Sequence, residues 1–189
     1  AITNYDYTTY FEKIAAVQLP VTLELEADRM QNLQLNYHEF NKEMKVIREE
    51  RRLRTEDNPQ AVTFERYMAA ANLADPYHHP IIGWMGDLNE MQLDDVLAWY
   101  ENFYTPNNAV LVVVGDVNAQ KTYELAKLYF GKIARGADYH RKKQIEPNSS
   151  GAKLIEIHTH AKLPIIMLGY TVPSIKTTQK NWEPYAQIG

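Results

Sequence analysis

Ala109-Val110-Leu111-Val112-Val113-Val114-Gly115-Asp116-Val117 is the stretch that decides the fold class, because it is the most apolar run in the chain. It is too short to cross a membrane, which takes roughly 18 or more apolar residues. Its apolar character is unbroken rather than alternating, which predicts a strand covered on both faces at the centre of a sheet. Just before it, Thr105-Pro106-Asn107-Asn108 closes a helix over about Leu93 to Tyr104, whose Val96, Leu97, Tyr100 and Phe103 share one side. After it the pattern is helical from Asn118 to Ile133. A polar connection follows from Arg135 to Gly151, then two strand-like segments, Leu154 to His160 and Pro164 to Val172, as a hairpin.

Toward the N-terminus the spacing predicts three helices. Pro20 opens one through Leu23, Ala27 and Met30, a longer one runs from about Tyr37 to Thr55, and a third from Ala61 to Leu73 ends before Asp75-Pro76. Ahead of them, the stretch through Phe11 places Tyr5, Tyr7, Thr9 and Phe11 on one face of a half-buried strand. The order describes an α+β fold, a mixed and mostly antiparallel sheet with helices packed on one face. Both ends read as cut. Ala1 leads straight into strand-like sequence, and the helix start at Pro184 stops after about one turn.

Composition agrees with a globular protein. The 189 residues carry 20 Lys+Arg against 24 Asp+Glu, a net charge of −4, with 45% hydrophobic residues, which excludes disorder. No basic block exists to bind nucleic acid, and no run is long enough for a transmembrane segment. With no cysteine, thiolate nucleophiles and Cys-based zinc sites are excluded. The eight glycines form no phosphate-binding loop, and no G-x-S-x-G elbow is present.

The chemistry-bearing element is the helix holding Phe40-Asn41-Lys42-Glu43-Met44-Lys45-Val46-Ile47-Arg48-Glu49-Glu50-Arg51-Arg52. At about 100° per residue from Phe40, Met44 falls near +40°, Ile47 near −20° and Val46 near −120°. Glu43 and Glu50, near −60° and −80° by the same rule, stack within that apolar arc, whereas Glu49 points near 180° into solvent. Two carboxylates on an apolar face call for a cation, a metal, a buried arginine or both. Arg54, one turn beyond Glu50, is the arginine candidate, and periodicity alone leaves the two readings level. Among the six histidines none are spaced as H-x-x-x-H. His158 and His160 share a strand face but lack a third ligand; His78 and His79 sit in a Pro-bounded loop, suited to packing and expected to point apart.

Asn4-Tyr5-Asp6-Tyr7-Thr8, Leu23 through Met30, Glu43 through Arg54 and Glu56-Asp57-Asn58-Pro59 together resemble the pitrilysin/insulinase-type zinc metallopeptidases, nearest to bacterial, processing-peptidase-like members. Pro76 through Trp84 and Tyr104 through Val117 carry the same resemblance. It implies the fold of one half of such a protein, with residues 1–189 a single incomplete α+β domain. Residues 1–105 would hold the strand, helices and partial zinc site, and 106–189 the truncated sheet-forming part. That family's inverted H-x-x-E-H helix is completed by a glutamate roughly 75 residues further on. By resemblance Glu50 is this third Zn2+ ligand and Glu43 the supporting glutamate, while the histidine pair and general base lie upstream of Ala1.

The resemblance also implies a metalloendopeptidase acting on peptides or unfolded polypeptide segments. Substrate is bound as an added strand along Ala1, Ile2 and Thr3, and a second peptidase-like half or partner subunit closes the chamber. The isolated chain is expected to be inactive and to bind zinc weakly. The alternative is a non-catalytic, peptide-binding or chamber-forming subunit of the same fold. Related bacterial proteins suggest the periplasm, with the cytoplasm as the other compartment.

Overall fold

The computed structural model describes residues 1–140, 142, 144–148 and 151–171. The chain starts in a small hairpin, β1 (Ile2–Thr3) against β2 (Thr8–Thr9), antiparallel with Ile2 opposite Thr9 and Thr3 opposite Thr8. The single half-buried strand expected here is replaced by this exposed pair. The reason lies in Asn4, whose Oδ1 accepts from the backbone N–H of Asp6 (2.9 Å) and Tyr7 (3.0 Å) and so turns the chain back.

Helix α1 (Leu19–Asn32) starts with Pro20, where a missing N–H costs nothing, and buries Leu23 and Ala27. Helix α2 (Tyr37–Arg51) is capped by Asn36, whose side chain accepts from Glu39 N at 3.0 Å. It runs on into a π-helical turn over Arg52–Glu56, a widening of the ladder that helices favour near functional positions. Asn58 then caps α3 (Pro59–Ala71), accepting from Gln60 N and Ala61 N. The helix expected from about Tyr37 to Thr55 and the one from Ala61 to Leu73 are thus both present, separated by Asp57 and Asn58.

A short α4 (Met85–Glu90) is a helix that the spacing did not predict. Helix α5 (Leu93–Phe103) follows, its entry fixed by Asp95 Oδ2 accepting from Gln92 N at 2.8 Å. Helix α6 (Ala119–Phe130), capped by Asn118, packs against α1. The buried apolar residues are Leu23, Ala27, Met44, Leu88 and Leu93, so the described core lies among α1, α2, α4 and the start of α5.

The largest departure concerns the sheet. Residues 109–117 form no strand, and Val110 and Val114 are 89% and 90% exposed rather than buried on both faces. Leu154 to His160 and the described part of Pro164 to Val172 form no strand either; Val172 and the Pro184 helix start lie outside the described residues. A strand exists only when a neighbour takes its N–H and C=O groups, and among the described residues β1–β2 is the one ladder. Helices close their hydrogen bonds locally and need no such neighbour. The described architecture is therefore mainly helical with a two-stranded sheet, and the expected mixed sheet is not present among these residues.

Candidate functional site

The two glutamates singled out on α2 are placed differently. Glu50, in its last turn, is half-buried, with its side chain 37% exposed and Oε1 2.7 Å from Nη1 of Arg54. Glu43 is exposed, contrary to the expectation that both carboxylates sit within a buried arc. Val46, also assigned to that arc, is exposed too. The cover on α2 comes at Met44, Arg48 and Arg51, where Arg48 donates to the Leu88 carbonyl (2.9 Å from Nη2), and this leaves the side carrying Glu43 open. Glu49 points into solvent, as its phase predicts, and pairs with Arg52 at 3.3 Å.

The buried cation is Arg51 rather than Arg54. Arg51 is 4% exposed, and its guanidinium grips both carboxylate oxygens of Glu65 on α3 (2.9 and 3.1 Å) while Nη1 also donates to the Gly83 carbonyl at 2.8 Å. Among the described residues its Nε has no hydrogen-bond partner but lies 3.6 Å from Glu56 Oε1, and the Trp84 ring stands 5.9 Å from the guanidinium carbon. Gly83 has φ +85°, a conformation that side chains disfavour, and this bend presents its carbonyl to the arginine. The signal for Arg51 was in the helix phase. At about 100° per residue it falls near +20°, between Phe40 and Met44, at the centre of the arc.

As a metal site, the described residues form no cage. No three His, Asp or Glu side chains cluster among them. Glu50 nevertheless suits a single ligand position. Its carboxylate oxygen is a donor zinc accepts, and its partner Arg54 is 77% exposed and free to swing away. His158 and His160 form no strand; His158 meets Glu156 at 3.7 Å. Ala1, Ile2 and Thr3 are exposed, and β1 has β2 on one side, with no described strand on the other.

Two further clusters stand elsewhere among the described residues. His78 and His79 do not point apart: their rings lie 4.0 Å from each other, His78 Nδ1 meets the Asp75 carbonyl at 2.7 Å, and His79 accepts from Trp84 Nε1 at 3.2 Å. They line a cavity of about 540 Å³ with Leu73, Pro76 and Ile145. In the second cluster the Tyr10 and Tyr104 hydroxyls are hydrogen-bonded, and Arg29 stands 3.7 Å over the Tyr10 ring. Burial, then the neighbouring Tyr10 hydroxyl, push the Tyr104 hydroxyl up to about 12, so it stays protonated and ties the N-terminal hairpin to α5.

Comparison with known proteins fits this layout. Residues 1–83 match the family profile described as insulinase (peptidase family M16), and residues 90–185 the one described as the peptidase M16 inactive domain. Zinc protease PqqE of Helicobacter pylori is 37% identical over 183 residues, covering 93% of this chain and 40% of that protein. The β subunit of the mitochondrial-processing peptidase of Bos taurus is 30% identical over 132 residues, 70% of this chain and 27% of that one. The chain thus spans well under half the length of either relative. Among solved structures, a Helicobacter pylori protease superposes with a TM-score of 0.63 at 37% identity, over 68% of this chain and 31% of that one. The ferredoxin protease FusC, solved with Arabidopsis ferredoxin, has a TM-score of 0.62 at 20% identity, over 70% of this chain and 14% of that one, which is a likeness of fold. This chain belongs to the insulinase, or M16, peptidase family.

Proposed function

We propose that this chain is part of a zinc-dependent metalloendopeptidase that hydrolyses peptides or unfolded protein segments, with Glu50 as one zinc ligand. The carrying observation is Glu50 itself, a half-buried carboxylate at the end of α2 whose only described partner is an exposed, displaceable arginine. The zinc-protease names of the relatives support the metal. Zinc, when bound, polarises a carbonyl and lowers the pKa of a bound water. Glu50 contributes negative charge and one oxygen at a fixed point; the H-x-x-E-H residues belong to sequence outside these 189 residues. The side of β1 that carries no described strand offers backbone N–H and C=O groups of Ile2 and Thr3 to an extended peptide, a mode of binding that reads shape more than sequence. A second peptidase-like half or subunit closes the chamber, and the 189 residues alone are inactive.

The experiment is metal retention in the full-length protein. Glu50→Gln removes the charged ligand and should abolish zinc retention after dialysis, while Glu49→Gln, which alters a solvated side chain, should leave it within about twofold of the parent. Equal zinc content in both variants would overturn the assignment of Glu50.

A further inference from the structure

We infer that Arg51 is the positioning residue for Glu50, through its clamp on Glu65 and the Gly83 carbonyl. This rests on the reading of Glu50 as a metal ligand and deepens it. Glu50 has no rigid tether of its own: its described partner, Arg54, is mostly exposed and lies past the point where α2 changes to π-helical hydrogen bonding. Two arginines hold the final turn of α2: Arg48, on the Leu88 carbonyl, and Arg51, the residue next to Glu50. Arg51 reaches three separate elements: α3 through Glu65, the turn before α4 through Gly83, and the π-helical turn through Glu56.

A planar guanidinium with two parallel bonds to one carboxylate fixes direction as well as distance, which an ammonium or an apolar pair does not. Direction matters here because a carboxylate oxygen stands about 6 Å or more from the helix axis, so a rotation of about 10° moves it by about 1 Å. Metal distances tolerate only about 0.2 Å, and supporting groups behind a ligand typically change affinity by 10- to 100-fold. Stability alone would not need a charged clamp, since well-packed apolar residues can replace a buried ion pair without loss.

That replacement supplies the test. In the full-length protein, the double variant Arg51→Met/Glu65→Leu fills the same space without the fork. Circular dichroism and a thermal melt report its folding, a chelator competition its zinc affinity, and the visible spectrum of the cobalt-loaded protein its ligand geometry. The expected result is a folded protein with zinc affinity at least about tenfold weaker and an altered cobalt spectrum. A folded double variant with parental affinity and spectrum overturns the inference. Should the double variant fail to fold, Arg51→Lys, which keeps the charge and loses the fork, decides by the same two readouts. Zinc retained by Glu50→Gln would overturn the ligand assignment itself; zinc lost there but kept, with the parental spectrum, in the folded clamp variant overturns only the role of Arg51.

Discussion

Arg51 and Arg54 lie within a turn of each other, and each meets a glutamate, yet the two pairs belong to different physical regimes. Arg51 and Glu65 are held between elements, with side chains 5% and 9% exposed, and the guanidinium also bonds the Gly83 carbonyl. Arg54 and Glu50 sit on one helical stretch, 77% and 37% exposed. Two charges taken out of water depend on each other, because neither is solvated if its partner leaves. The exposed pair carries no such debt. Arg51→Ala should therefore be the most damaging substitution considered, destabilising the protein by about 3–5 kcal/mol through the stranded Glu65 carboxylate. Urea unfolding of the full-length protein measures it; a loss under about 1 kcal/mol would show that water reaches Glu65 and would dissolve the contrast.

Glu146 lies between these extremes. It belongs to no helix or strand, yet its carboxylate accepts from three successive backbone N–H groups, Leu73 (2.7 Å), Ala74 (2.7 Å) and Asp75 (2.8 Å). Those bonds, Leu73 first, hold its pKa below the usual glutamate value, with Lys153 adding in the same direction. Because the folded-state pKa is the lower one, the attachment is at full strength above the ordinary glutamate pKa. It is lost as the pH falls through the depressed value, so it should persist at neutral pH and open only in acid. Hydrogen exchange at the three amides should stay slow at neutral pH and quicken in Glu146→Gln by several-fold. Unchanged exchange in that variant would place Glu146 with the solvated pairs.

How much of this the sequence discloses depends on how far each element's partners lie. The helices were legible because their hydrogen bonds are local and their caps are written beside them, Asn36 before α2 and Asn58-Pro59 before α3. The run from Ala109 to Val117 was not, because a strand is a statement about neighbours, and none is found for it among the described residues. At the candidate site, phase alone put Glu49 in solvent and Glu50 toward the protein. It misplaced Glu43, whose exposure is set by which elements cover that turn of α2. Arg51 lay in plain view of the same calculation, but a search for carboxylates passes over the arginine. Its partner Glu65 is fourteen residues away on another helix, a pairing no local pattern specifies.

The smallest expected effect belongs to Arg54→Ala. An exposed glutamate–arginine pair at i,i+4 gains little from attraction through water and gives up side-chain freedom to form, so its removal should cost about 0.5 kcal/mol or less. Salt near 1 M, where the screening length falls to about 3 Å, should weaken even that. The number bears on more than stability. If Arg54→Ala cost well over 1 kcal/mol in urea at high salt, Arg54 would be held as firmly as Arg51. Glu50 would then be committed to that arginine, with no free carboxylate for a metal.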